Sequence, residues 1–167
     1  AVNGTVDPGL KEAPAKLELT DDWAAADYLV DPQDASKIRV FAAEAEPDRT
    51  DTVDGATVKH YTQTSVADIA NKGTDVTDMF DIKVEGTVAT ATAKPDYLKT
   101  LKGMRKGLQL TLLVPFTVNF ADGKGAARVR EDFGRKPGDE VTFCTSPDGK
   151  ELTNKGSQTV NGQTEPT

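Results

Sequence analysis

Glycine placed directly after Asp or Asn punctuates this chain, at Asp54-Gly55, Asp122-Gly123, Asp148-Gly149 and Asn161-Gly162, and short β-branched runs lie between the pairs. These dipeptides tolerate the positive backbone angles of tight hairpin turns, so they predict strands folding back on themselves. Short strands with such spacing predict an all-β sandwich. Ile38, Val40 and Ala42 share one face of a strand over Ala35 to Ala43, with Lys37, Arg39 and Phe41 on the other. Ile82 and Val84 lead into a hairpin about Glu85-Gly86, whose return arm is the alternation Thr87-Val88-Ala89-Thr90-Ala91-Thr92-Ala93. Gln109 to Phe120 is the most apolar stretch, and its Pro115 cannot donate to a ladder, which places a bulge or an edge there. Val141 to Cys144 and Ser157 to Val160 complete the strand set, the latter leading into the Asn161-Gly162 turn.

Two short helices interrupt the pattern. Ser65 caps the run Val66 to Asn71 ahead of Gly73, and Pro95 fits the first turn of Pro95 to Leu101, which stops at Gly103. Pro47 to Ala56 and Asp122 to Asp139, rich in charge, Thr and Gly, read as long surface loops. Residues 1–16 read as a linker or the remnant of upstream strands, 17–162 as a single domain, and 163–167 as a linker to a following domain. A chain of 167 residues can hide roughly two thirds of its unfolded surface, enough for one sizeable core.

Charge narrows the partners. With 20 basic against 27 acidic side chains the net charge is -7, which argues against nucleic acid, since phosphate binding needs a cationic face. No run approaches the roughly 18 apolar residues of a membrane span, so this segment is not expected to insert into a bilayer. The start Ala1-Val2-Asn3-Gly4-Thr5 has neither the basic nor the apolar region of a signal peptide, so a secreted protein would contain this sequence as an excised piece.

Enzyme motifs fail one by one. A Ser-His-Asp triad needs a histidine held by a carboxylate, and His60 lies in the polar run Val58-Lys59-His60-Tyr61-Thr62. One His and one Cys cannot make a zinc site. Gly123-Lys124-Gly125 lacks the spacing of a phosphate loop. Asp21-Asp22, between Leu17-Glu18-Leu19-Thr20 and Trp23, is read either as part of a calcium-binding turn or as a solvated turn beside a core tryptophan. Cys144, following Phe143, is read either as a small buried hydrophobe or as half of a disulfide with a partner outside the chain.

Three segments in order carry a resemblance: Leu19-Thr20-Asp21-Asp22-Trp23; Gly73-Thr74-Asp75-Val76-Thr77-Asp78-Met79-Phe80, continuing through the Thr-Ala strand to Tyr97-Leu98; and Leu152-Thr153-Asn154 to Asn161-Gly162. Together they resemble the isopeptide-forming adhesin domain of Gram-positive surface proteins, the type known from the C-terminal region of streptococcal antigen I/II adhesins. The resemblance implies an immunoglobulin-like sandwich with added strands and short helices, stacked with neighbouring domains into a stalk on the cell wall. In the crosslinked members a lysine on an early strand attacks an asparagine amide on the last strand, ammonia leaves, and a buried acid assists. Asn154 matches the acceptor. Lys11 and Lys16, the only lysines before Leu17, stand in a polar setting, so the donor lysine is expected outside the chain. The implied function is a structural stalk module of a secreted, cell-wall-anchored adhesin, extracellular, with no turnover catalysis and no cofactor unless calcium binds. The alternative is a recognition module whose long loops bind a host protein or glycan.

Overall fold

The computed structural model describes residues 1–24, 29–30, 35–53, 55–62, 64–118 and 155–166. The chain opens with strands β1 (Val2–Val6) and β2 (Leu17–Asp22), then a short β3 (Leu29–Val30) and the long β4 (Arg39–Val53), which turns back as β5 (Ala56–Thr62). Helix α1 (Val66–Lys72), β6 (Thr74–Asp75), β7 (Phe80–Glu85) and β8 (Val88–Ala93) follow, then helix α2 (Pro95–Thr100), β9 (Gly107–Leu113) and β10 (Thr117–Val118). β11 (Lys155–Val160) and β12 (Gln163–Pro166) form the last hairpin. One sheet has the order β1-β9-β4-β5, with β6 alongside β4; the other has the order β12-β11-β2-β8-β7; and β10 pairs with β3. The protein is an all-β sandwich with two short helices, as its turn chemistry predicts.

Alternation decides what each sheet sends inward. In β2 the buried residues are Leu17, Leu19 and Asp21, and in β8 they are Ala89, Ala91 and Ala93, so the Thr-Ala repeat turns its methyl groups to the core. The small alanines make room for Phe80, Leu98 and Leu101, while the facing sheet supplies Val40, Leu110 and Leu112 and the residue before β4 supplies Ile38. Burying each Leu or Ile side chain stabilises by roughly 1.5–3 kcal/mol, which makes this shared layer the main source of stability.

β9 differs from the other strands because it is buried on both faces. Leu110 and Leu112 face the core, yet Gln109 and Thr111 are also inaccessible, since the connection from Thr64 into α1 packs over that outer side and buries Ile69. A strand covered on both faces reads as a nearly continuous apolar run. Pro115 falls between β9 and β10, where the missing N–H interrupts no ladder.

Local signals behave as expected. Ser65 Oγ accepts from Asp68 N at 3.2 Å and caps α1, and Pro95 occupies the first turn of α2. Gly86 and Gly103 have φ of 59° and 69°, conformations that glycine adopts without strain. Asn161 and Gly162, at φ 51° and 85°, make the tight turn between β11 and β12, and Asn161 Oδ1 also accepts from Ala15 N at 2.5 Å and Lys16 N at 3.3 Å.

One expectation changes. The stretch expected as a loop over 47–56 is a hairpin instead, because β4 continues to Val53 and β5 pairs back from Val53↔Ala56 to Glu46↔Thr62. Thr50, Thr52 and Val53 favour extended backbone, Gly55 (φ 81°) supplies the turn, and the one irregularity falls between Pro47 and Arg49, where proline has no N–H to give. The N-terminal segment also contributes structure: β1 pairs with β9 from Val2↔Leu112 to Val6↔Leu108, with Val2 and Val6 in the core. Likewise β12 pairs with β11 from Val160↔Gln163 to Ser157↔Pro166. Residues 122–139 and 141–144 lie outside the described residues.

Candidate functional site

The last residues of β2 carry the one acidic pair singled out in the sequence. Successive residues of a strand face opposite ways, and Asp21 and Asp22 obey this. Asp21 points into the sandwich and is 0% exposed, whereas Asp22 is only half-buried. Asp22 Oδ1 accepts from Ala24 N at 3.0 Å and from Thr87 Oγ1 at 3.3 Å, and Trp23 N donates to Thr87 O at 3.0 Å. Asp22 therefore ends the strand by fixing its exit turn. The two carboxylates do not converge on one cation as a calcium turn requires, and no cluster of three or more His, Cys, Asp or Glu that could hold a metal occurs among the described residues.

Asp21 sits between small neighbours. Its partners in register are Ala89 on β8 and Gly156 on β11, so neither adjacent strand sends a bulky side chain over it. Trp23, 2% exposed, meets Phe116 edge-on with ring centroids 4.9 Å apart, and this pair closes the same end of the core. Among the described residues Asp21 is the only buried acid; the other buried polar side chains are Gln109, Thr111 and Gln158.

β11 begins at Lys155, paired with Asp22, immediately after Asn154. Asn154 and Cys144 lie outside the described residues. Chain connectivity alone bounds the position of Asn154, since two residues of extended chain span at most about 7 Å, and Gly156 is the register partner of Asp21. None of the described lysines is buried. Lys16 pairs with Glu18 at 3.1 Å on the surface, and Lys11 is exposed. Lys106, clasped by Glu44 at 2.6 Å and by Glu46, is raised above the ordinary lysine value by those partners and is the opposite of a neutral-amine nucleophile. His60 is a residue of β5, opposite Arg49.

Sequence reasoning missed two polar features. On the outer side of β9, Gln109 Oε1 accepts from Thr64 N at 2.7 Å while its Nε2 donates to Thr64 O at 3.0 Å and to Thr111 Oγ1 at 2.9 Å; Thr111 Oγ1 donates to Asn3 Oδ1 at 2.7 Å. The polar residues inside the run Gln109-Leu110-Thr111-Leu112 were the available signal. Between the sheets, Gln158 Nε2 donates to Thr5 O at 3.1 Å, joining β11 to β1. Nothing local marks Gln158 as inward-facing.

No helix among the described residues is long and apolar enough to cross a membrane. In comparisons with known proteins, no family model matches this chain and no curated protein matches it.

Proposed function

We propose that this chain is a structural stalk module of a secreted, cell-wall-anchored bacterial surface adhesin, stabilised by an amide between a lysine and Asn154. The observation that supports this reading is the complete burial of Asp21 one strand away from the head of β11, where Asn154 joins it. In the reaction, the neutral lysine Nζ attacks Asn154 Cγ, the new C–N bond forms as the old one breaks, and ammonia leaves. The proton lost by the amine must reach the departing nitrogen, and Asp21 is the described group placed to carry it. Desolvation serves both partners, because an amine becomes nucleophilic only when its charged form is disfavoured. The register partners of Asp21, Ala89 and Gly156, are small residues, which is compatible with the approach of a lysine side chain. The chain enters β1 at the same end of the sandwich, since Val2 pairs with Leu112 near the Trp23–Phe116 contact, which suits a donor on a preceding strand. By analogy with a disulfide closing a long loop, such a bridge stabilises by about 4 kcal/mol.

Intact mass of a longer version of the protein that includes the residues upstream of Ala1 tests this. The wild type is expected to be lighter than its sequence by one ammonia, and Asn154→Ala and Asp21→Asn are expected to keep the full mass and melt earlier. A wild-type mass equal to the sequence mass removes the crosslink. Loss of ammonia in Asp21→Asn removes the role of Asp21.

One observation favours recognition as a second reading. Beyond Ala45↔Gly107, β4 leaves β9 and pairs only with β5, so the hairpin projects as a ribbon of about 25 Å with Arg49, Thr50, Thr52, Thr57 and Lys59 exposed. A host-protein or glycan screen that loses its signal when residues 49–59 are shortened to a tight turn would support it.

A further inference from the structure

The tripeptide Val-Asn-Gly occurs twice, as Val2-Asn3-Gly4 and as Val160-Asn161-Gly162. Asparagine before glycine is especially prone to cyclise on itself, because glycine has no Cβ to hinder its main-chain nitrogen from meeting the side-chain amide carbon. With valine ahead of both asparagines, the two sites share the same local chemistry. What separates them is imposed by the fold.

Asn3 lies inside β1, where Asn3 pairs with Thr111 and Gly4 with Leu110 in the ladder to β9. Asn3 Oδ1 accepts from Thr111 Oγ1 at 2.7 Å and from Gln109 Nε2 at 3.4 Å, both on fully buried side chains. Gly4 is buried too, and even a single Cβ there would meet Gln158 Oε1 at 1.8 Å. Closing a ring from Asn3 Cγ onto Gly4 N would turn the main chain out of the strand, so it requires β1 to leave β9.

Asn161 stands instead in the turn between β11 and β12, and both it and Gly162 are exposed. No main-chain hydrogen bond among the described residues takes the Gly162 N–H. The last ladder pair is Val160↔Gln163, so the Asn161–Gly162 peptide can rotate while the two strands stay paired. The asparagine itself is positioned, since its N–H donates to Lys16 O at 2.9 Å and its Oδ1 accepts from Ala15 N at 2.5 Å and Lys16 N at 3.3 Å. Two N–H groups converging on an amide oxygen stabilise the negative charge that develops there when the amide carbon is attacked.

We propose that Asn161 is a spontaneous modification site of the folded chain, converting to aspartate and isoaspartate, and that the fold protects Asn3 from the same reaction. Solvent hydroxide removes the Gly162 N–H proton, the nitrogen attacks Asn161 Cγ, and the Cγ–Nδ2 bond breaks, so that ammonia leaves and a five-membered imide remains. Water then adds to one of the two imide carbonyls and opens the ring. Cleavage of the new Cγ–N bond gives aspartate; cleavage at the main-chain carbonyl gives isoaspartate, whose main chain runs through the side-chain carbons and is one methylene longer. The net change is amide plus water to carboxylate plus ammonium. Aspartate keeps the N–H groups of Ala15 and Lys16 as charge-assisted donors. Isoaspartate lengthens a tight turn and should loosen β12, whose only strand partner among the described residues is β11.

The proposal is independent of the Asn154 crosslink and is tested on the chain itself. The imide step releases one ammonia, as the crosslink does, and Asn161→Asp abolishes only the former. The chain is kept in mildly alkaline buffer made with heavy-oxygen water, with or without urea, then digested in acid and mapped by mass spectrometry with fragmentation that separates aspartate from isoaspartate. In urea the two asparagines should convert at similar rates. In buffer Asn161 should convert at least about tenfold faster than Asn3, which reacts only in the fraction of molecules whose β1 is open. Amide exchange at Gln163 to Glu165 should quicken as isoaspartate accumulates. Equal rates at the two sites in buffer, faster conversion at Asn3, or an Asn161 that stays intact in buffer would each overturn the proposal.

Discussion

Gly4, in the middle of β1, faces Gln158 of β11 and Leu19 of β2 with no room for a side chain. A Cβ built there would lie 1.8 Å from Gln158 Oε1, 2.6 Å from its Cδ and 3.0 Å from Leu19 Cδ2. Gly4→Ala therefore cannot be accommodated unless the Gln158 side chain moves, and moving it breaks the 3.1 Å bond to Thr5 O. The lost hydrogen bond costs about 1 kcal/mol and the overpacking a further 1–3, while alanine recovers roughly half a kilocalorie through a less flexible unfolded chain. The expected net destabilisation is about 2–3 kcal/mol. Gln158→Ala should cost about 2 kcal/mol alone, yet it vacates the space the new methyl needs, so the double variant should be little worse than Gln158→Ala. A favourable coupling of about 2–3 kcal/mol is the signature. Urea denaturation of the four proteins measures it, with the m-values compared to confirm a common unfolded state. Additive losses, or a Gly4→Ala cost below about 0.5 kcal/mol, would refute the placement of Gln158 across the seam.

Gln109→Ala should destabilise by about 3 kcal/mol, because it leaves both Thr64 N and Thr64 O without the side chain that serves them, and amide exchange should quicken through α1 before the core strands respond. Unchanged exchange in α1 would show that this network does not hold the helix down. For Asp75 the hydroxyl and N–H of Thr77, with a smaller contribution from Arg39, hold the carboxyl below its ordinary value of 3.8. A lowered folded value contributes stability above the unfolded value and loses it as pH falls through the folded one, so acidification below 3.8 should lower the urea midpoint of the wild type more than that of Asp75→Asn. Parallel curves for the two proteins would contradict the sign.

The parts of the fold legible in the sequence are those set within a few residues. The Ser65 cap, Pro95 at the first turn of α2, the Glu85-Gly86 hairpin and the Asn161-Gly162 turn all depend on contacts between near neighbours or on φ preferences of one residue. The strand pattern of 47–56 was present too, in Thr50, Thr52 and Val53, but its charge resembled a loop because the ribbon projects from the core and Arg49, Thr50 and Thr52 meet water. β1 was obscure for a related reason: Val2-Asn3-Gly4-Thr5-Val6 has only two apolar side chains, and its glycine is explained by Gln158 and Leu19, of which Gln158, the closer, is distant in sequence.

The candidate site divides along the same line. The sequence by itself determined an acidic chain of short strands and tight turns, with an Asp-Asp pair ending an early strand and an asparagine before the last hairpin. Tertiary structure alone decided that Asp21 is buried while Asp22 fixes a turn, and that Gln109 and Thr111 are covered on the outer side of a strand. The physical reason is register. Propensity sets where a strand starts, but a slip of one residue reverses every face, and only pairing between distant strands fixes which face is inside.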